Sequence, residues 1–162
     1  MHSARVRAFI GVGANLGDAP ATVRRAIDAC RQLPASTFHA ASSLYRSAPI
    51  DGGGPHYINA VVAIDTSLSP TDLLAQLQRV EAAHGRERSV RNAPRTLDLD
   101  LLLYGDLTMH CEALTLPHPR MHLRAFVLLP LAELAPAVVL PGMGPLQQWL
   151  ERAADQHVEL LA

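Results

Sequence analysis

Aromatic side chains are scarce in this chain, which has three Phe, three Tyr and one Trp. Net charge is scarce as well: 14 Lys and Arg against 15 Asp and Glu, with His neutral, leave a formal -1. A sequence-blind nucleic-acid binder needs a basic footprint and stacking rings, and the composition offers neither. Only two cysteines occur, Cys30 and Cys111. They form no CxxC pair and read as two reduced thiols rather than a disulfide framework. No apolar run is long enough to span a bilayer, which argues against a membrane partner. Residues 1–5 run directly into an apolar stretch with no signal-peptide h-region, so the expected compartment is the cytosol.

What is present is ample apolar material for an interior. Hydrophobic residues make up 49% of the 162, and a fold of this length hides roughly 70% of its unfolded surface. One domain over residues 1–162 is the expectation. Residues 6–12 form a short apolar run that Gly11, Gly13 and Asn15-Leu16-Gly17-Asp18 should close into a loop, with Asp18 capping a helix. Val23, Ala26, Ile27, Cys30 and Leu33 then recur at helical spacing up to Pro34. Residues 38–47 are strand-like and lead to Ala48-Pro49-Ile50 and a loop with three consecutive glycines, Gly52-Gly53-Gly54.

Residues 57–65 alternate, which puts Tyr57, Asn59 and Val61 on one face and Ile58, Ala60, Val62 and Ile64 on the other. Ser69-Pro70-Thr71-Asp72 is a helix start, with Ser as N-cap, Pro at the first position and a carboxylate in the first turn. Leu73, Leu74, Leu77 and Val80 supply its apolar stripe and Gly85 its stop. A polar loop over 86–95 precedes an apolar strand over 97–104, and further helices are expected over 125–134 and 145–154. Strand, helix, strand, strand, helix, strand is the order of a split βαβ unit. The predicted fold class is therefore α+β, a ferredoxin-like sandwich with helices packed on an antiparallel sheet.

Leu97-Asp98-Leu99-Asp100-Leu101 carries the most chemistry. Strict alternation sends the leucines to the core and both carboxylates to the other face, with Cα atoms about 6.5 to 7 Å apart. Two such anions suit magnesium, which takes one or two carboxylates and completes its shell with water and substrate phosphates. A bare Asp-x-Asp is more often a solvated strand face. Here Arg86, Arg88, Arg91 and Arg95 stand immediately upstream, and guanidinium forks match phosphate oxygens bidentately. Arginines beside an acidic pair are what a polyphosphate and metal site requires.

Residues 91–102, Arg-Asn-Ala-Pro-Arg-Thr-Leu-Asp-Leu-Asp-Leu-Leu, resemble the signature of the 6-hydroxymethyl-7,8-dihydropterin pyrophosphokinase family. Gly11-x-Gly13-x-Asn15-Leu16-Gly17, Ser43-x-Tyr45-Arg46-Ser47, Tyr57-x-Asn59-Ala60, Leu114-Thr115-Leu116-Pro117-His118 and Arg124-Ala125-Phe126 resemble the family's other blocks, in order. The resemblance weakens only after about Pro136. It implies transfer of pyrophosphate from ATP to 6-hydroxymethyl-7,8-dihydropterin with release of AMP. It further implies two magnesium ions held by Asp98 and Asp100, with Asp98 also facing the pterin.

Carried over by position, Tyr57 and Phe126 would sandwich the pterin ring and Asn59 would read its edge. Ser47, Pro49 and Ile50 would add hydrogen bonds. Gln78, Glu81, Arg88, Arg91, Arg95, Leu101, Thr115, His118 and Arg124 would lie on the nucleotide side, and Arg86 and Arg95 would act during transfer. Asn92 and Ala113 depart from residues found in some members. The expected assembly is a monomer. The loops over 48–56 and 86–95 are expected to close over the site when both substrates are bound.

Blander readings stand beside these. Gly11-x-Gly13-x-x-x-Gly17 alone is a weak dinucleotide fingerprint and reads better as a backbone turn. His118 and His122 are four apart, but Pro117 and Pro119 disfavour the helix that would make them a metal pair. Trp149, Leu146 and Leu150 read as the packing face of the last helix, and Cys30 as inert core. The rival functions are another magnesium-dependent nucleotide transferase and a ferredoxin-like RNA-binding module. The second lacks the aromatic-rich pattern of RNA-binding sheets.

Overall fold

The computed structural model describes residues 4–48, 56–84 and 97–161. Expectations resting on Pro49, Ile50, the Gly52-Gly53-Gly54 loop, Gly85, Arg86, Arg88, Arg91 and Arg95 lie outside the described residues.

The chain opens with β1 (Val6–Ala14), α1 (Ala19–Cys30), β2 (Ser36–Ala41), β3 (Tyr45–Ser47), β4 (Tyr57–Thr66) and α2 (Pro70–Ala83). It continues through β5 (Asp98–Tyr104), β6 (Met109–His110), β7 (Thr115–Leu116), a 3-10 turn (Met121–Leu123) and α3 (Ala125–Leu134). The end comprises β8 (Val139–Leu140), β9 (Gly144–Pro145), α4 (Leu146–Arg152) and β10 (Val158–Leu160). The main sheet runs β10-β3-β4-β1-β5, with β2 also on β4, and every pairing is antiparallel. This is the α+β sandwich that the element order predicts.

Local chemistry explains the helix starts. Asp18 accepts the Ala21 N–H at 3.2 Å and Ser69 accepts that of Asp72 at 3.1 Å, each ahead of an early proline. Gly17 sits at φ +58°, a left-handed conformation that costs glycine little. The turn anticipated at Gly11 and Gly13 does not form there. Both glycines lie inside β1, which is paired on both edges, and the ladder bonds override their poor strand propensity. Helix α2 also differs in detail: Leu73, Leu77 and Glu81 are its buried residues, while Leu74 and Val80 sit at the core margin. Helix α4 starts at Leu146, one residue late, because Pro145 holds extended backbone at its N-cap.

Alternation along the strands splits the interior into two halves. Ile10, Val12, Ala60, Val62, Leu99 and Leu101 face α1 and α2 and pack with Val23, Ile27, Leu73 and Leu77. Phe9, Val61, Ala63 and Leu102 face the other way and pack with Val127, Leu128, Leu131 and Leu146 of α3 and α4. Each fully buried Leu, Ile or Val contributes about 1.5 to 3 kcal/mol. Ser42 joins β2 to β3: its N–H donates to the Val61 carbonyl at 2.8 Å and its hydroxyl accepts the Val61 N–H at 2.9 Å. Among the described residues no helix is long and apolar enough to cross a membrane.

Cys30 is 1% exposed, and burial pushes its thiol up to about 12, whereas Cys111 is exposed. Thiolate is the reactive form. One thiol per chain should therefore react with an aromatic disulfide reagent at neutral pH in native protein, and two in denaturant. Rapid native labelling of Cys30, seen by peptide mapping, would contradict this packing.

Candidate active site

The site is set by register. Tyr57 stands opposite Ser47 and Asn59 opposite Tyr45 across β4 and β3. Across β4 and β1, Asn59 meets Gly13 and Val61 meets Gly11. Across β1 and β5, Gly13 meets Asp98 and Gly11 meets Asp100. Directly opposed residues share a face. One transverse row therefore reads Tyr45, Asn59, Gly13, Asp98, and the next reads Val61, Gly11, Asp100. Val61 belongs to the core beneath α3, so this is the face that α3 covers.

The two glycines make the row usable. With no side chain at position 13, the sheet floor is open between an amide and a carboxylate. A Cβ on Gly13 would lie 3.1 Å from Asn59 Oδ1, whereas the nearest neighbours of one on Gly11 would be Leu102 side-chain atoms at 3.4 to 3.5 Å. Asn59 and Ser47 are buried, and Asn59 Nδ2 donates to Ser47 Oγ at 2.9 Å. That bond fixes the amide plane, with Asn59 Oδ1 beside Gly13 on the floor. Asp98 is half-buried and Asp100 exposed.

Elements outside the sheet supply the rest. Glu81 of α2 is buried, and its Oε2 accepts the N–H of Leu99 at 2.9 Å, between the two aspartates. Gln78 is exposed one turn earlier. Leu101 has its side chain in the core facing α1 and α2, so only its main chain could meet a ligand on the site face. His118 follows β7, and its N–H donates to Leu102 of β5 at 2.9 Å. Burial holds its imidazole below the ordinary 6.5; Arg124 and Arg120 act the same way, and Asp100 opposes them. His118 Nδ1 accepts the Arg120 N–H at 3.2 Å, so the neutral ring carries its proton on Nε2 as a donor. Thr115 lies in β7 with its hydroxyl 3.4 Å from His110 Nδ1.

Arg124 and Phe126 enter at the start of α3. The Arg124 guanidinium carbon lies 5.6 Å from the centre of the half-buried Phe126 ring. The structure thus brings Ser47, Tyr57, Asn59, Asp98 and Asp100 to one sheet face, under the helix that carries Phe126. It links His118 electrostatically to Asp100 and Arg124. Sequence reasoning missed Gly11 and Gly13 as site residues. Their signal was the two-residue spacing they share with Tyr57-x-Asn59 and Asp98-x-Asp100, which is strand rather than turn spacing.

A model of 7,8-dihydro-6-hydroxymethylpterin-pyrophosphokinase (HPPK) matches residues 9–136. The chain belongs to the HPPK family. Its relatives include 2-amino-4-hydroxy-6-hydroxymethyldihydropteridine pyrophosphokinases of Pseudomonas aeruginosa, 41% identical over 96% of both chains, and of Haemophilus influenzae, 42% identical over 94% of this chain and 96% of that one. A Bacillus subtilis protein of the same name is 42% identical over 81% of this chain and 79% of its own length. Among solved structures, a Plasmodium falciparum HPPK-DHPS triple mutant superposes with a TM-score of 0.76 at 13% identity, over 93% of this chain. The present chain spans 44% of that longer one, and at such low identity the likeness speaks for the HPPK fold alone.

The floor makes a pair of variants informative. Gly11→Ala adds a methyl group in ordinary contact and should be tolerated, whereas Gly13→Ala should displace Asn59 and loosen its bond to Ser47. In amide NMR spectra the Asn59 side-chain signals should stay sharp and protected from exchange in the first variant and lose protection in the second. Equal protection in both would contradict the floor as described.

Proposed function

We propose that this chain transfers the pyrophosphoryl group of ATP to the hydroxymethyl group of 6-hydroxymethyl-7,8-dihydropterin, releasing AMP, in folate biosynthesis. One observation carries the assignment of roles: in an HPPK-family chain, a carboxylate pair and an aromatic-amide pair meet on one sheet face across the glycine positions 11 and 13 of the central strand. ATP as co-substrate and dependence on magnesium follow from the family. The finer reading gives Asp98 and Asp100 two magnesium ions. A pair of carboxylates, one half-buried and one exposed, is the donor set that magnesium shares with substrate phosphates. Bound magnesium would neutralise phosphate charge and orient the phosphorus for in-line attack.

The chain's own residues bind and orient. Tyr57 and Phe126 take the two faces of the pterin ring, a pairing worth about 0.5 to 1.5 kcal/mol beyond area burial. Asn59, held by Ser47, offers an acceptor and a donor to the ring's pyrimidinone edge. His118 presents Nε2–H and Arg124 its guanidinium to phosphate oxygens. Glu81 holds the strand segment between the aspartates, and Gln78, Leu101 and Thr115 line the nucleotide side. Arg86, Arg88, Arg91 and Arg95, with Pro49 and Ile50, complete the assignment from sequence. The alcohol oxygen forms a bond to the β-phosphorus, the bond to the oxygen bridging α- and β-phosphorus breaks, and that oxygen leaves with AMP. The alcohol proton passes to solvent. Catalysis is then positioning plus charge stabilisation. In this reading the enzyme is a single-domain cytosolic monomer with only small-molecule partners.

The test is product identity and residue dependence together. Wild-type protein with ATP, magnesium and the hydroxymethyl dihydropterin should release AMP, one per pterin consumed, and no ADP. Asp100→Ala should lose most of kcat while remaining folded, because removing one of two neighbouring anions relieves repulsion in the metal-free protein. Phe126→Ala should weaken pterin binding about tenfold, equivalent to ~1.4 kcal/mol, with little change for ATP. Release of ADP, or near wild-type turnover of Asp100→Ala at saturating magnesium, would overturn the assignment.

A further inference from the structure

Helix α3 carries Arg124 at its N-cap and Phe126 in its first turn, yet its own sequence anchors that turn poorly. Arg124 provides no side-chain cap. Pro130 lies inside the helix and has no N–H to give the Phe126 carbonyl four residues back. The first-turn donors of a helix need partners from elsewhere.

One partner comes from beyond the family-matched region, which ends at residue 136. The side-chain amide of Gln156 accepts the N–H of Ala125 on Oε1 at 3.0 Å and donates from Nε2 to the carbonyl of Leu123 at 2.8 Å. These two peptide groups flank Arg124, and Ala125 is bonded directly to Phe126. A primary amide is the side chain that can both accept and donate in one plane. Gln156 is itself placed by the turn after α4, where its N–H donates to Ala153 at 3.0 Å. Helix α4 docks on the same segment: the Trp149 ring meets His122 edge-on at 4.7 Å, and the Arg152 guanidinium carbon lies 4.6 Å from the Trp149 ring centre.

We propose that Gln156 is a positioning residue, clamping the peptide groups on either side of Arg124 so that this guanidinium and the Phe126 ring are presented together to the substrates. This rests on the roles given to Arg124 and Phe126 under the proposed function. Gln156 is exposed and sits outside both cores, so its loss leaves the packed interior unchanged. It touches no carboxylate of the metal pair, so its effect falls on organic ligands and not on the cation alone.

The experiment compares wild type, Gln156→Ala and Gln156→Met by calorimetric titration with 6-hydroxymethylpterin, with a non-hydrolysable ATP analogue plus magnesium, and with Mn2+ alone. Wild-type binding of the pterin reads the proposed function separately, before any variant is compared. Both variants should bind pterin and nucleotide about fivefold to tenfold more weakly, the size of one or two lost hydrogen bonds, with the Mn2+ affinity unchanged. In wild-type protein the Ala125 amide should exchange with solvent much more slowly than a free amide. Variants that bind both organic ligands as wild type does, a parallel loss for Mn2+, or an unprotected Ala125 amide would overturn the proposal.

Discussion

The antiparallel register of β1 between β4 and β5 is the constraint on which the site depends. Backbone hydrogen bonding on both edges of one strand fixes which residue of β4 faces which residue of β5. A one-residue slip of β4 or β5 would turn Asn59, or Asp98 and Asp100, onto the face of α1 and α2 and move the apolar residues of that strand off it. Burial of Ile10, Val12, Ile64 and Leu99 on one face, and of Phe9, Val61 and Leu102 on the other, forbids that slip. The hydrophobic cost of misregistration is thereby what holds polar groups opposite one another. The geometry of the candidate site is a by-product of core packing, reinforced by local clamps at Ser47 and Glu81.

Electrostatics then divides the face. Carboxylates stand at the β5 edge, the amide and the tyrosine on β4, and glycines between them. The imidazole of His118 sits near Asp100 but is kept neutral mainly by burial, with Arg120 and Arg124 adding to the effect. A neutral donor suits a phosphate oxygen without locking onto the carboxylate, as an imidazolium would. The third of the chain beyond residue 105 adds the covering layer. Helix α3 packs over β4, and the C-terminal turn holds its first residues.

Much of this was legible in the chain. Two-residue alternation in 57–65 and 97–101 predicted the faces correctly, and Asp18 and Ser69 marked the helix starts because capping is a local interaction. The α+β order followed from the same periods. Gly11-x-Gly13 misled because glycine signals turn in isolation, and only the pairing of both edges, a long-range fact, keeps it in strand. The stripe of α2 includes Glu81, a carboxylate that no apolar pattern would place inside; its partner is a backbone N–H on β5 that sequence cannot display. Gln156 was invisible for the same reason: its partners lie about thirty residues away along the chain and are peptide groups, which carry no sequence signature.

Under the proposed function, the floor at Gly13, between Asn59 and Asp98, is where the two substrates meet. A crystal structure of the ternary complex with 6-hydroxymethylpterin, magnesium and a non-hydrolysable ATP analogue tests it most directly. The account predicts the pterin ring over Gly13 with its edge on Asn59, and density for the cation against Asp98 and Asp100. A pterin bound on the face of α1 and α2, or a cation held away from both aspartates, would contradict it.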